Sequence, residues 1–187
     1  TQMTRGLTGV LVVEEAVDPG FDTEQVVNLR DFRLDQNGVL MDPYTLRGAS
    51  RGGTKGNVRT ANWLQGAIHD HPAGGLTRLR IVNTDISRIY KVALRASGGI
   101  VDGRVIAWDG NPLNEELPLP TKASHTSLGP GQRMDIAVRM ADVEGDIIEL
   151  VAYLPNGTQT MATLRSVGTS EKRQLGELMN LKPNPVP

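Results

Sequence analysis

The sequence predicts an all-β protein, a sandwich or barrel of short strands. Three observations carry that prediction. Apolar and polar residues alternate at a spacing of two through several stretches, which turns every second side chain to one face of a strand. Turn-forming clusters separate these stretches at intervals of roughly 8–20 residues. Helical spacing is scarce, and the 187 residues include 21 Gly and 11 Pro, which weaken helix interiors and mark turns.

Leu7 to Glu15 (LTGVLVVEE) reads as a buried strand, rich in β-branched residues and closed by two acids. Asp18, Pro19 and Gly20 break the chain, and Gln25 to Leu34 gives a second strand. Asp35 to Gly38 is a turn, since Asn37 and Gly38 tolerate positive φ. Met41 to Lys55 is polar and glycine-rich, an irregular loop. Extended structure resumes at Asn57 to Trp63. In Leu76 to Asn83, Leu79 and Ile81 alternate with Arg78 and Arg80, which predicts one buried and one solvated face. Ile89 to Ala96 repeats the pattern with Tyr90, Val92 and Leu94 inward.

Arg104 to Trp108 is a further short strand, followed by a proline-flanked acidic segment from Asn111 to Pro120. Gly129, Pro130 and Gly131 make a sharp turn. They are no phosphate loop, because no Lys-Ser/Thr or helix follows. Gln132 to Met140 then places Met134, Ile136, Val138 and Met140 on one face. Asp146 to Leu154 and Thr160 to Ser166 flank Asn156 and Gly157, a strong hairpin signal. One amphipathic helix is expected within Glu171 to Leu181, from the spacing of Leu175, Leu178 and Met179. Lys182 to Pro187 reads as a stiff proline-rich linker.

Composition narrows the function classes. A hydrophobic fraction of 39% with 22% charged residues is enough for a packed core. The formal net charge of −1 supplies no field for nucleic acid or an anionic membrane, and Arg47, Arg51 and Lys55 read as solvated loop residues. Cysteine is absent, which excludes disulfides, thiolate catalysis, zinc ribbons and a blue-copper site. No run approaches the ~20 apolar residues of a membrane span, and no secretory leader opens the chain.

His69 and His71 form the one constellation with metal-ligand spacing. On an extended segment residues two apart point the same way, so both imidazoles can grip one ion. Further ligands would come from Asp70, His125 or a neighbouring molecule. The plainer reading is a pair of surface histidines on an exposed loop beside Pro72, Gly74 and Gly75, with any bound metal adventitious. Arg133, Asp135, Arg78, Arg80 and Asp31 read as ion pairs across strands or at a domain interface. No catalytic and no cofactor-binding residue is expected, because no nucleophile or paired carboxylate is present. The six Met residues are scattered, which suits packing rather than metal binding.

Several phrases, in order, resemble the multicopper oxidases. Gln2 to Glu15 is similar to the G-L-x-G-x-L-x-V-E strand that closes their first domain. Asn28 to Gly38 (NLRDFRLDQNG) resembles the D-x-R-x-x-x-x-G opening of the second. Asn57 to Asn62 and Leu76 to Asn83 resemble G-N-x-x-x-N-G and R-L-R-x-x-N. Trp108, Asp109 and Gly110 match a D-G phrase. Leu128 to Val138 (LGPGQRMDIAV) is close to L-x-P-G-x-R-x-D-I-x-V. The resemblance covers about Gln2 to Arg165 and looks most like the bacterial laccase, copper-efflux oxidase and cell-division-protein branch.

That resemblance implies a cupredoxin-like Greek-key barrel or sandwich, the central (second) domain, over residues 18–166. Residues 1–17 would be the closing strand of a preceding domain and residues 167–187 a linker towards a third. The expected role is a non-catalytic spacer between copper-bearing first and third domains, its partners in the parent polypeptide. The parent reaction would be oxidation of phenols, amines or metal ions coupled to reduction of dioxygen to water, in the periplasm or outside the cell. No family copper ligand maps onto any position here. Two alternatives stand: a copper-free scaffold or binding domain of the cell-division type, and a small autonomous metal-binding protein using His69 and His71. The apolar strand Leu7 to Val13 also predicts self-association of the isolated chain, through an unpaired edge.

Overall fold

The computed structural model describes residues 2–42, 44–50, 53–96 and 99–179. These residues form eleven strands: β1 (Thr23–Phe32), β2 (Val58–Ala61), β3 (Ala67–Pro72), β4 (Leu76–Asn83), β5 (Tyr90–Ala96), β6 (Gly103–Trp108), β7 (Asn111–Pro118), β8 (Thr126–Leu128), β9 (Arg133–Arg139), β10 (Ile147–Leu154) and β11 (Gly157–Val167). They build a six-stranded sheet in the order β2-β1-β4-β9-β6-β7 and a five-stranded sheet in the order β3-β11-β10-β5-β8. Neighbouring strands run antiparallel except for β1 with β4 and β11 with β3, which are parallel.

The core lies between the sheets and follows the two-residue alternation. Met134, Ile136, Val138 and Met140 are fully buried, as are Leu79 and Ile81 on the adjacent β4. Register sets Leu79 opposite Ile136 and Ile81 opposite Met134. The second sheet contributes Tyr90, Val92, Leu94, Ile148, Leu150, Met161 and Leu164. Each such side chain contributes about 1.5–3 kcal/mol when taken fully out of water. The β10–β11 hairpin forms with Leu154 opposite Gly157, so Pro155 and Asn156 make its two-residue loop.

Several elements differ from expectation. Leu7 to Glu15 forms no strand. Leu7, Leu11 and Val13 are exposed, and among the described residues 9–17 make no backbone-to-backbone hydrogen bond. A strand needs a partner edge, and this segment lies along none of the sheets' edge strands in register. The acidic stretch after Gly110 is the edge strand β7. Asp109 and Gly110, both at positive φ (52° and 82°), make the tight turn into it. Pro112 and Pro118 are tolerated there because an edge strand leaves one row of amides unpaired.

The loop expected over Met41 to Lys55 contains one short helix, α1 (Leu46–Ser50). The helix expected within Glu171 to Leu181 is reduced to a 3-10 turn at Leu175–Glu177. Its neighbours are extended instead: Glu171 and Arg173 donate backbone bonds to Ala73 and Gly74, and Met179 donates to Pro19. Arg51 and the proline-rich Lys182 to Pro187 lie outside the described residues.

Those terminal segments give the six-stranded sheet a second buried face. Leu76, Ile106, Ala137 and Leu175 pack together on its outer side, with Phe21 and Leu178 against them. Arg78, expected on a solvated face, is therefore only 2% exposed.

Candidate functional site

His69 and His71 lie on β3, a strand rather than the expected loop, at the edge of the five-stranded sheet. Parallel register places His69 beside Leu164 and His71 beside Ser166 on β11, both buried. The alternate residues Ile68 and Asp70 face outward and are exposed. The two imidazoles therefore share the inward face. His71 is 3% exposed, so it is no surface histidine, and His69 is half-buried.

The His71 ring bridges the two sheets. Its Nδ1 lies 2.9 Å from Thr23 Oγ1 on β1, and Thr23 Oγ1 lies 2.9 Å from Thr77 Oγ1 on β4. The Nε2 atoms of both histidines are buried without a hydrogen-bond partner among the described residues, as is Ser166 Oγ. Burial, then the neighbouring His69, pushes the His71 pKa down to about 4, with Asp70 opposing. The ring is thus neutral near pH 7.

The further ligands considered for this pair lie elsewhere. Asp70 points away and forms a bidentate pair with Arg165, at 2.8 and 2.9 Å. His125 precedes β8, at the far edge of the same sheet, where its ring lies 5.9 Å from that of Tyr153. Among the described residues no three His, Cys, Asp or Glu side chains converge.

A second polar cluster sits on the outer face of the six-stranded sheet. Arg78 Nε and Nη2 donate to Asp135 Oδ2 at 3.0 and 2.7 Å, and Nη1 donates to Glu15 at 2.6 Å. Its guanidinium also stacks 5.9 Å from the Phe21 ring centre. Arg80, directly across from Asp135 in register, bonds both Asp135 and Glu24. Burial raises the Asp135 pKa against the pull of both arginines. For Glu15 the hydrogen bond and charge of Arg78 outweigh burial and lower it. This network ties residue 15, in the segment without strand partners, to the sheet.

A third cluster closes the rim beside β1. Asp31 Oδ2 accepts from Arg88 Nε and, at 2.8 Å, from the Gly56 amide. Arg88 Nη2 donates to the Gly56 carbonyl at 2.7 Å. Any Cβ at Gly56 would meet the Phe32 carbonyl oxygen at 2.4 Å, so glycine is required for this close approach. Asp85 accepts from the amides of Asp31, Ser87 and Arg88. Burial, then the adjacent Asp85, pushes the Asp31 pKa up to about 6.

Sequence reasoning named Arg78, Arg80, Asp31, Asp135 and Arg133 as ion-pair residues; Arg133 instead donates to the Asp109 carbonyl, and Glu15, Glu24, Asp85 and Arg88 were missed. The signal was weak: an acid ending an apolar run, and an Asn-Thr-Asp turn after β4. A blue-copper centre does not fit these residues. Such a centre needs a cysteine thiolate beside two imidazoles, and the chain has no cysteine.

No family profile matches the chain. It is similar to the cell division protein FtsP of Escherichia coli (strain K12), 31% identical over 160 residues, which cover 80% of this chain and 30% of that protein. The crystal structure of a multi-copper oxidase from Pseudomonas thermotolerans superposes with a TM-score of 0.83 at 34% identity, covering 100% of this chain and 42% of that one. A multi-copper oxidase from Pseudomonas parafulva gives 0.83 at 32% identity, over 98% and 42%. The chain spans less than a third of the length of the curated relatives it matches. With two sheets in the cupredoxin-like arrangement and sequence likeness along their whole extent, the chain is a cupredoxin-like domain similar to part of the multicopper oxidases.

Proposed function

We propose that this chain is the central cupredoxin domain of a bacterial laccase-like multicopper oxidase, a spacer that positions copper-bearing first and third domains. The parent protein oxidises phenols, amines or metal ions, reduces dioxygen to water, and works in the periplasm or outside the cell. No residue of this domain takes part in electron transfer. The observation that carries the reading is full-length superposition on 42% of an oxidase by a chain without a single cysteine. Buried ion networks on the outer face suit a rigid spacer, because they hold terminal segments against the sheet. Among the described residues no helix is long and apolar enough to cross a membrane.

A second reading rests on the likeness to FtsP: a copper-free scaffold in cell division. Oxygen uptake separates the two. The 187-residue chain loaded with copper should show no blue charge-transfer band and no oxygen uptake with a phenol; either signal overturns the spacer reading. The same chain joined to the coding sequence around it should consume oxygen if the parent is an oxidase, and none if it is a scaffold. The exposed Leu7, Leu11, Val13 and Val17 should make the isolated chain self-associate. Sedimentation showing only monomer at high concentration would count against that.

A further inference from the structure

We propose that His69 and His71 form a two-coordinate site for a closed-shell monovalent coinage-metal ion, cuprous or silver, at the mouth between the two sheets. The site is separate from any centre assigned to the multicopper oxidases, and it rests on this chain's own residues.

Buried polar atoms without a partner among the described residues include Asn28 Nδ2, Arg30 Nε, Arg104 Nε, Tyr90 Oη and Ser166 Oγ. The amide and guanidinium nitrogens among them are donors and cannot hold a cation, and neither hydroxyl has a second orphan of its kind beside it. The imidazole nitrogens differ. They come from alternate residues of one strand, face the same way, and are both unpartnered.

The site requires the tautomer of His71 in which Nδ1 carries the proton, one of the two that its contact with Thr23 permits. With Nδ1–H donating to Thr23, whose hydroxyl donates in turn to Thr77, Nε2 carries the lone pair and has no proton to place. A metal-bound histidine commonly donates its other ring nitrogen to such a partner, which fixes the ring. Here the partner hydroxyls come from the opposite sheet, so the orientation is built into the sandwich.

The number of donors selects the ion. Zinc and cupric ions require about four ligands, and among the described residues no third His, Cys, Asp or Glu converges on the pair. A d10 monovalent ion is satisfied by two nitrogens in line, and imidazole is a good donor to copper. The outward Asp70, held by Arg165, does not compete for the ion.

The test uses silver(I), which is stable in air, titrated into the 187-residue chain in chloride-free buffer. Calorimetry should give one ion per chain. His69→Gln should weaken binding on the order of a hundredfold, and Thr23→Val on the order of tenfold through loss of the ring's anchor. Since His71 is buried and its variants risk misfolding, the wild-type chain supplies an independent readout. In imidazole 15N spectra the Nε2 signals of His69 and His71 should shift on saturation, and those of His125 should not. Equal binding by wild type and His69→Gln, absence of saturable binding, or a shift confined to His125 each overturns the proposal. Displacement of silver by equimolar zinc overturns the two-coordinate assignment.

Discussion

On the outer face of the six-stranded sheet, Arg78 is buried with each guanidinium nitrogen bonded to a carboxylate. At the mouth between the sheets, His69 and His71 bury ring nitrogens with no partner among the described residues. Both regions take polar side chains out of water, and the cost is similar in kind. The difference is saturation. A saturated cluster has spent its bonding capacity on its neighbours and acts as a clamp, here on the chain segments at residues 15 and 24. An unsaturated pair keeps capacity for something that is not protein.

That contrast breaks first at Arg78. Arg78→Met should destabilise the chain by about 2–4 kcal/mol in urea unfolding, because Asp135 and Glu15 lose their bonds to Arg78 and keep the longer contacts with Arg80, at 3.2 and 3.6 Å. A loss below about 1 kcal/mol would show that the outer cluster does not clamp. A pH experiment sharpens the same point at Asp31, whose pKa is raised in the folded state to about 6. A raised carboxyl pKa adds stability that is complete below the unfolded value and disappears as pH rises through the folded one. Wild type should therefore gain on Asp31→Asn by about 1–2 kcal/mol between pH 7 and pH 5. A constant difference across that window would rule out the buried acid.

At the mouth the expected sign reverses. Ser166→Ala removes a fully buried hydroxyl that bonds nothing, so it should leave stability unchanged or raise it by up to about 1 kcal/mol in the metal-free chain. Destabilisation beyond about 1 kcal/mol would mean that Ser166 has a partner, such as a bound water. The smallest effect belongs to the outward side of the same strand. Asp70→Asn should leave thermal unfolding unaltered, since its pair with Arg165 is exposed to solvent.

Much of this molecule is legible in the residues. Strands β4, β5, β9 and the β10–β11 hairpin follow from alternation and turn chemistry, and their inward residues are the core. The misreadings share a cause. Leu7 to Glu15 has strand composition but pairs with no sheet edge, and composition does not report which edges a segment meets. The segment after Gly110 looks too acidic and proline-rich for a strand, yet an edge position tolerates both. The period of two correctly divided β4 into faces and then misassigned the environment of one. Arg78 is bonded to Glu15, 63 positions before it, and to Asp135, 57 after it, which no local pattern contains.

From the chain of letters alone came the all-β class, the inward faces of β4, β5 and β9, the likeness to the multicopper oxidases, and the exclusion of thiolate chemistry. Those are consequences of residue type and short-range periodicity. Only the folded arrangement decided which carboxylates meet Arg78, that His71 is buried rather than solvated, and that Asp70 and His125 lie away from it. These depend on which strand edges and terminal segments come together. Pairing across sheets is settled by the packing of the whole, where burial and partners are set at once.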